Sequence, residues 1–81
     1  MKRPKPKRLK RPKNPMLAWV RHALTERDLY DAYRGRPAYQ RNDYLGWIVR
    51  AKLETTKKRR LAQMLAELAR GDRYMKMKYR G

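Results

Sequence analysis

The sequence predicts an all-α fold, a small bundle of about four short helices with a disordered basic N-terminal arm and an extended C-terminal tail. Apolar residues recur at helical spacing in four stretches, and no stretch before the tail alternates as a half-buried strand would. Glycine or proline separates most of these stretches. With only 81 residues the chain holds at most one domain, whose core must be small.

Residues 1–13 form the predicted arm. The segment holds eight cations and three prolines but no acid, and Leu9 is its one aliphatic residue. Because like charges repel and proline fixes the backbone, we expect no collapse into a core. Residues 14–81 are predicted to form a single small helical domain, which has 16 cations against seven acids and so remains a polycation.

The first predicted helix starts near residue 14. Asn14 followed by Pro15 is typical of an N-cap and the first helical position. Leu17, Val20 and Leu24 then recur at helical spacing, which gives this short helix an apolar face.

The second predicted helix starts within residues 25–28. This stretch resembles a capping box in which Asp28 replaces the usual glutamate. Leu29, Ala32 and Tyr33 follow as an apolar stripe, and Gly35 stands where a left-handed residue would end the helix.

The third helix is predicted over residues 39–53, after Pro37 and the extended turn that it favours. Gly46 weakens this helix modestly. The apolar residues that share one face are Tyr44, Trp47, Ile48 and Ala51. Tyr44 and Trp47 could stack on nucleotide bases, but their position on this face favours the core.

The fourth helix is predicted to have Thr55 or Thr56 as its N-cap and to end at Gly71. Its apolar stripe consists of Leu61, Met64, Leu65 and Leu68. Residues 74–80 alternate between apolar and basic side chains, but a lone strand lacks a partner in an all-helical chain. We therefore expect an extended tail.

Composition argues against several classes of function. Without cysteine there is no disulfide, thiolate metal site or cysteine nucleophile, and a single histidine, His22, cannot hold zinc alone. Asp28 and Asp31 are better explained as helix-cap and salt-bridge residues than as a catalytic pair. We therefore predict no enzyme, catalytic residue, metal or cofactor. No apolar segment has the length of a signal peptide core or a membrane span, so we expect a cytoplasmic protein.

A formal net charge of +17 predicts a polyanionic partner. Cations neutralise phosphates and release counterions, which is the basis of non-specific nucleic-acid binding. The candidate phosphate contacts are Lys2, Arg3, Lys5, Lys7, Arg8, Lys10, Arg11, Lys13, Arg41, Arg50, Lys52, Lys57, Lys58, Arg59 and Arg60.

The run Lys57 to Arg60 is the most informative part of this set. Four cations in the first turn of the predicted fourth helix would oppose its dipole. One interpretation is a phosphate site at the helix N-terminus, widened by Arg41, Arg50 and Lys52. The other is a solvated face, compensated by a pair between Glu54 and Lys58. On the first interpretation, replacing the four cations with Gln should raise stability slightly.

The stretch Arg34-Gly35-Arg36-Pro37 offers a further possibility. It resembles the core of an AT-hook, in which an extended backbone places two arginines in a narrow minor groove. Because Gly35 is already explained as a helix terminator, this is a side hypothesis.

A set of spaced motifs also matches a known pattern. It comprises Arg36-Pro37, the run Arg41 to Ile48, Ala51-Lys52, Thr56, the run Arg60 to Leu65 and the run Leu68 to Gly71. Over about residues 24–79 these motifs resemble the C-terminal helical module of the YdeI/OmdA family of bacterial proteins. Related chains tend to carry Arg-Pro-Glu where this one has residues 53–55. The resemblance implies a compact α-helical fold, an association with bacteriocin or antimicrobial-peptide protection and with envelope proteins, and no established reaction.

Two functions of different classes follow. The first is a small module that binds DNA, RNA or another polyanion non-specifically through phosphate contacts. The alternative, implied by the resemblance, is a protein-interaction or stress-protection module that binds an acidic protein or an anionic envelope surface. Neither function fixes an oligomeric state.

Overall fold

The computed structural model describes residues 14–78, and its elements are four helices followed by a short hairpin. The helices are α1 (Ala18–Glu26), α2 (Tyr30–Arg34), α3 (Ala38–Arg50) and α4 (Glu54–Arg70), and the strands are β1 (Arg73–Tyr74) and β2 (Met77–Lys78). This architecture confirms the all-α class. The predicted arm of residues 1–13, with its eight candidate phosphate contacts, lies outside the described residues, as do residues 79–81.

One apolar core joins the four helices. Its buried members are Val20, Leu24, Tyr33, Tyr44, Leu45, Ile48, Met64, Leu65 and Leu68. The Tyr44 side chain is fully buried, and Trp47 packs against this core from a half-buried position. The assignment of both aromatic residues to the core is therefore confirmed.

The segment before α1 is held to α3. The helix begins at Ala18 with no side-chain cap, so the predicted N-cap at Asn14 was wrong. Asn14 instead donates from its backbone nitrogen to Asn42 Oδ1 (2.7 Å) and from its side-chain amide to the Asn42 carbonyl (3.1 Å). A Cβ atom at Gly46 would lie 2.7 Å from Asn14 Nδ2, so this glycine allows the close approach.

The junction between α1 and α2 differs from its prediction. Helix α1 continues through Thr25, and α2 begins after Leu29 without a side-chain cap, so the predicted capping box was wrong. Asp28 makes the turn at a φ of 58°, which its short polar side chain tolerates. Gly35 is right-handed, with a φ of −75°, and is not the predicted left-handed terminator. The chain reaches Pro37, the N-cap of α3, without such a residue.

The turn between α3 and α4 lies earlier in the chain than predicted. Helix α3 ends at Arg50, three residues before its predicted end, and α4 begins at Glu54. Leu53 is the N-cap residue and makes no side-chain cap, so Thr55 and Thr56 lie inside the helix and the predicted threonine cap was wrong. The extended backbone at Leu53 turns the chain without a hydroxyl group.

The end of α4 and the tail complete the fold. Gly71 has a φ of +85°, which confirms it as the left-handed terminator. The tail is extended as predicted, but it also supplies its own partner, because Tyr74 pairs with Met77 in an antiparallel hairpin. Met75 and Lys76 at the tip have φ values of 52° and 69°, the signs that a type I′ hairpin turn requires.

Candidate nucleic-acid interface

Most candidate phosphate contacts in the described chain lie at the turn between α3 and α4, here called the basic corner. Its cations are Arg50, Lys52, Lys57, Lys58, Arg59 and Arg60. Glu54 is the one acid in residues 50–60, so six cations and one acid give this stretch a formal charge of +5.

Arg60 holds the basic corner together. Its Nη1 atom donates to the Trp47 carbonyl (2.6 Å), and its guanidinium lies 5.2 Å from the centroid of the Trp47 ring. That carbonyl lacks its usual helical donor, because the Ala51 amide bonds to Ile48 instead. Arg60 therefore caps the C-terminus of α3 and fixes the second turn of α4 beside it.

Lys57 is also engaged within the protein. Its Nζ atom lies 4.0 Å from Glu54 Oε2, and its side chain is only 27% exposed. Glu54 thus pairs with Lys57 at i+3, whereas the solvated-face interpretation predicted a pair with Lys58 at i+4. The pair neutralises part of the corner but leaves Lys58 outside it.

Four cations of the basic corner face solvent. Arg50, Lys52, Lys58 and Arg59 are all exposed. Within residues 14–78 no ion pair joins Lys58 or Arg59 to an acid. These four side chains are free to meet a ligand from solution.

The helix dipole does not explain the basic corner. Because α4 starts at Glu54, the run Lys57 to Arg60 lies in its second turn, and the first turn carries an acid that complements the dipole. The premise of four cations in the first turn was therefore wrong. Since Arg60 caps α3, replacing all four cations should lower stability, opposite to the earlier expectation.

Arg41 lies at the other end of α3 from Arg50. The two residues are nine apart, which places them about 13 Å apart along the helix axis. Arg41 Nε donates to the Arg36 carbonyl (3.1 Å) after α2. The structure therefore does not bring Arg41 into the basic corner.

Arg36 does not fit the AT-hook hypothesis. Its side chain is buried, donating from Nη1 to Gln40 Oε1 and from Nη2 to the Glu67 carbonyl, each over 3.1 Å. An AT-hook needs both arginines in a DNA groove. Arg36 instead ties the connection between α2 and α3 to α4, and we reject the hypothesis.

The structure also contains a buried carboxylate that the prediction missed. Glu67 accepts a hydrogen bond from the Tyr44 hydroxyl and one from Gln63 Nε2 (3.1 Å). The backbone amides of Met75 and Lys76 donate to its two oxygens over 2.8 and 2.7 Å. This one side chain therefore joins α3, α4 and the tip of the hairpin.

The environment beside Glu67 changes the pKa of the Tyr44 hydroxyl. Burial raises the Tyr44 pKa well above its ordinary value, and the hydrogen bond to the Glu67 carboxylate and its negative charge raise it further. The sequence did carry a signal for this carboxylate. Glu67 follows Met64 by three residues and precedes Leu68, so it lies within the apolar stripe, where an acid requires partners.

His22 pairs with a neighbouring carboxylate on its own helix. His22 Nε2 lies 3.3 Å from Glu26 Oε2 on the exposed side of α1. Among the described residues, no three His, Asp or Glu side chains form a group that could hold a metal ion. None of the helices described for residues 14–78 combines the length and apolar character needed to cross a membrane.

A family model described as Bacteriocin-protection, YdeI or OmpD-Associated matches residues 15–71. The match covers more than two thirds of the chain, from the segment before α1 to the terminator of α4. It starts about nine residues before the stretch, residues 24–79, over which the sequence resembles the family, and it stops before the hairpin. No curated protein and no solved structure matches the chain significantly.

Proposed function

The chain belongs to the bacteriocin-protection, YdeI or OmpD-associated family, and we propose that this member is a small binding module, not an enzyme, that takes nucleic acid through its phosphates. DNA and RNA present the same phosphate chemistry to it. The observation that carries the proposal is the basic corner, where exposed cations stand on a rigid turn.

Rigidity distinguishes this corner from scattered surface charge. The contact between Arg60 and Trp47 fixes the turn, and Glu54 is already paired with Lys57. The four exposed cations therefore lie in a stretch whose one acid is engaged with Lys57. A polyanion gains from such an arrangement because each phosphate that is neutralised releases counterions.

Such phosphate contacts position a nucleic acid without reading its bases. Sequence-specific recognition in a duplex uses side chains that hydrogen-bond to base edges in the grooves. Lysine and arginine at an exposed helix corner provide charge for the backbone first. We therefore propose binding that varies little with base sequence and falls steeply with salt.

The test is a double variant of the basic corner, Lys58→Gln with Arg59→Gln. Binding of a fluorescent mixed-sequence duplex is measured by anisotropy at several salt concentrations. The matched control is Arg27→Gln with Arg34→Gln, which removes the same charge from exposed positions at the C-cap of α1 and the last residue of α2. We expect the corner variant alone to lower the affinity and to reduce the salt slope by about 1.8, or ~0.9 per contact.

Two outcomes would contradict the proposal. If both double variants lose affinity equally, binding depends on net charge and the corner is not a site. If the parent protein binds no duplex at low salt, the nucleic-acid function itself is wrong. Competition with polyglutamate of matched charge tests the alternative, since displacement at equal charge concentration would favour an acidic protein partner.

A further inference from the structure

An open groove of about 570 Å³ lies beside the N-terminal half of α3. Its size is within the range of ~300–1,000 Å³ that small-ligand sites occupy. The aromatic part of its lining consists of Tyr30 and Tyr33 from α2 and Tyr39 from α3. We call this feature the tyrosine groove.

The tyrosine groove offers flat apolar faces. The rings of Tyr30 and Tyr33 are stacked, with centroids 6.2 Å apart and planes inclined by 27°. Tyr39 is 51% exposed, a large fraction for an aromatic side chain on a helix of the core. The exposed ring of Tyr39 and the half-buried ring of Tyr30 on one concave surface fit a planar ligand that can stack on them.

The charge of the groove fits an anion. Arg41 contributes to the wall, and no acid is among the lining residues. Its Nε bond to the Arg36 carbonyl fixes the orientation of the guanidinium. Arg21, which is not a lining residue, places a second guanidinium 5.6 Å from the centroid of the Tyr30 ring.

A planar ring joined to an anion is the chemistry of a nucleotide. We propose that the tyrosine groove binds a base and its adjoining phosphate in single-stranded nucleic acid, with the base on Tyr30 or Tyr39 and the phosphate on Arg41. Duplex bases are stacked on their neighbours, so a single strand is the form that can supply a ring. This inference rests on the proposed function and adds a strand preference to it.

The groove and the basic corner then have separate roles. Arg41 belongs to the groove, which accounts for its position at the other end of α3 from Arg50. The basic corner binds phosphates of single or double strands, whereas the tyrosine groove binds a base, which only an unpaired strand makes accessible. Removing the bases from a single strand should therefore weaken binding without changing the contribution of the corner.

The experiment compares two single strands of equal length and charge, an oligothymidylate of about twelve nucleotides and its abasic counterpart. Affinities of the full chain are measured at matched salt. We expect oligothymidylate to bind more tightly by about 5- to 150-fold for one stacked base, which corresponds to ~1–3 kcal/mol. The salt slope should be the same for both strands, because their phosphates are the same.

Variants locate the preference in the groove. Tyr30→Leu and Tyr39→Leu should each reduce the ratio of the two affinities, and the double variant should bring it close to one. Trp19→Leu is the matched control, because it removes an exposed aromatic ring that does not line the groove. In the unmodified protein, the ring protons of Tyr30 and Tyr39 should shift in the NMR spectrum on addition of oligothymidylate but not of the abasic strand.

The outcomes separate this inference from the proposed function. Equal, measurable affinity for the two strands would overturn base binding in the tyrosine groove but would leave the proposed phosphate binding intact. An oligothymidylate preference that persists in the double variant, or that is lost in Trp19→Leu, would also overturn it. Should a variant fail to fold, the absence of tyrosine ring shifts in the unmodified protein would count against the groove. Failure of either strand to bind would overturn both proposals.

Discussion

The two ends of α4 hold charged side chains in opposite environments. Near its C-terminus, Glu67 is buried and accepts hydrogen bonds from two other side chains and two backbone amides. Near its N-terminus, Lys58 and Arg59 are exposed and form no ion pair within residues 14–78. One helix thus carries a satisfied internal charge and a set of unsatisfied external ones.

The difference shows which polar residues hold the fold and which are available to a partner. A buried carboxylate is stable only when donors surround it, so Glu67 fixes the arrangement of the elements that provide them. An exposed cation contributes little to stability, so nothing in the fold requires Lys58 or Arg59 to be basic. The predictions below test this division, beginning with the largest expected effect.

Removing the buried carboxylate should have the largest effect. Glu67→Ala leaves the Tyr44 hydroxyl and the amides of Met75 and Lys76 without their acceptor. We expect the free energy of unfolding to fall by about 3–5 kcal/mol in urea denaturation. The control is Glu54→Ala at the other end of α4, which removes a side chain that is 77% exposed and should cost at most ~1 kcal/mol. Similar losses for the two variants would remove the distinction between the ends of α4.

Removing one donor should have a smaller effect. Tyr44→Phe deletes the hydroxyl that bonds to the Glu67 carboxylate while keeping the buried ring. Because the bond has a charged acceptor, we expect a loss of about 1.5–3 kcal/mol at neutral pH. Urea denaturation of both proteins at one pH gives the difference. No measurable loss would mean that Glu67 does not depend on this donor.

The same variant should change the response to alkali. The folded-state pKa of Tyr44 is raised above its unfolded value of 10.0, mainly by burial and then by Glu67. The stability that follows from this shift is fully present below pH 10 and is lost as the pH rises towards the folded pKa, by at most ~1.4 kcal/mol per pH unit. Tyr44→Phe should flatten that decline. Burial also raises the Tyr33 pKa, so part of the slope should persist.

A comparison within the basic corner should give the smallest effect. Arg60→Gln removes the cap on the Trp47 carbonyl and the contact with its ring. We expect a loss of about 1–2 kcal/mol, measured by thermal denaturation. Arg59→Gln, one residue earlier and exposed, should change stability by less than ~0.5 kcal/mol. Equal losses of stability would show that Arg60 contributes no more to the fold than its exposed neighbour Arg59.

Much of the fold could be predicted from periodicity. The apolar stripes placed Leu24, Ile48 and Leu68 in the core, and the terminator at Gly71 was identified correctly. The helix starts could not be predicted in the same way, because α1 and α4 begin without a side-chain cap. Asn14 has the chemistry of a cap but uses it on Asn42, a choice set by tertiary packing.

The sequence predicted which cations make up the candidate site. It did not predict which of them are engaged within the fold and which remain exposed. Composition and spacing identified the cations of the basic corner, whereas the engagement of Arg60 with Trp47 depends on how two helices meet. The partners of Glu67 could not be foreseen either. Two of them are backbone amides of a hairpin whose turn has two non-glycine residues at positive φ, without the Asn-Gly signal typical of such turns.

The bonds from Met75 and Lys76 to Glu67 make the hairpin tip a natural reporter of local opening. Amide protons exchange with solvent deuterium only when their hydrogen bonds break. These two amides bond to a side chain of α4 and not to the opposite strand. Their exchange rates therefore follow the lifting of the hairpin from the helix, an event separate from the parting of β1 and β2 and from global unfolding.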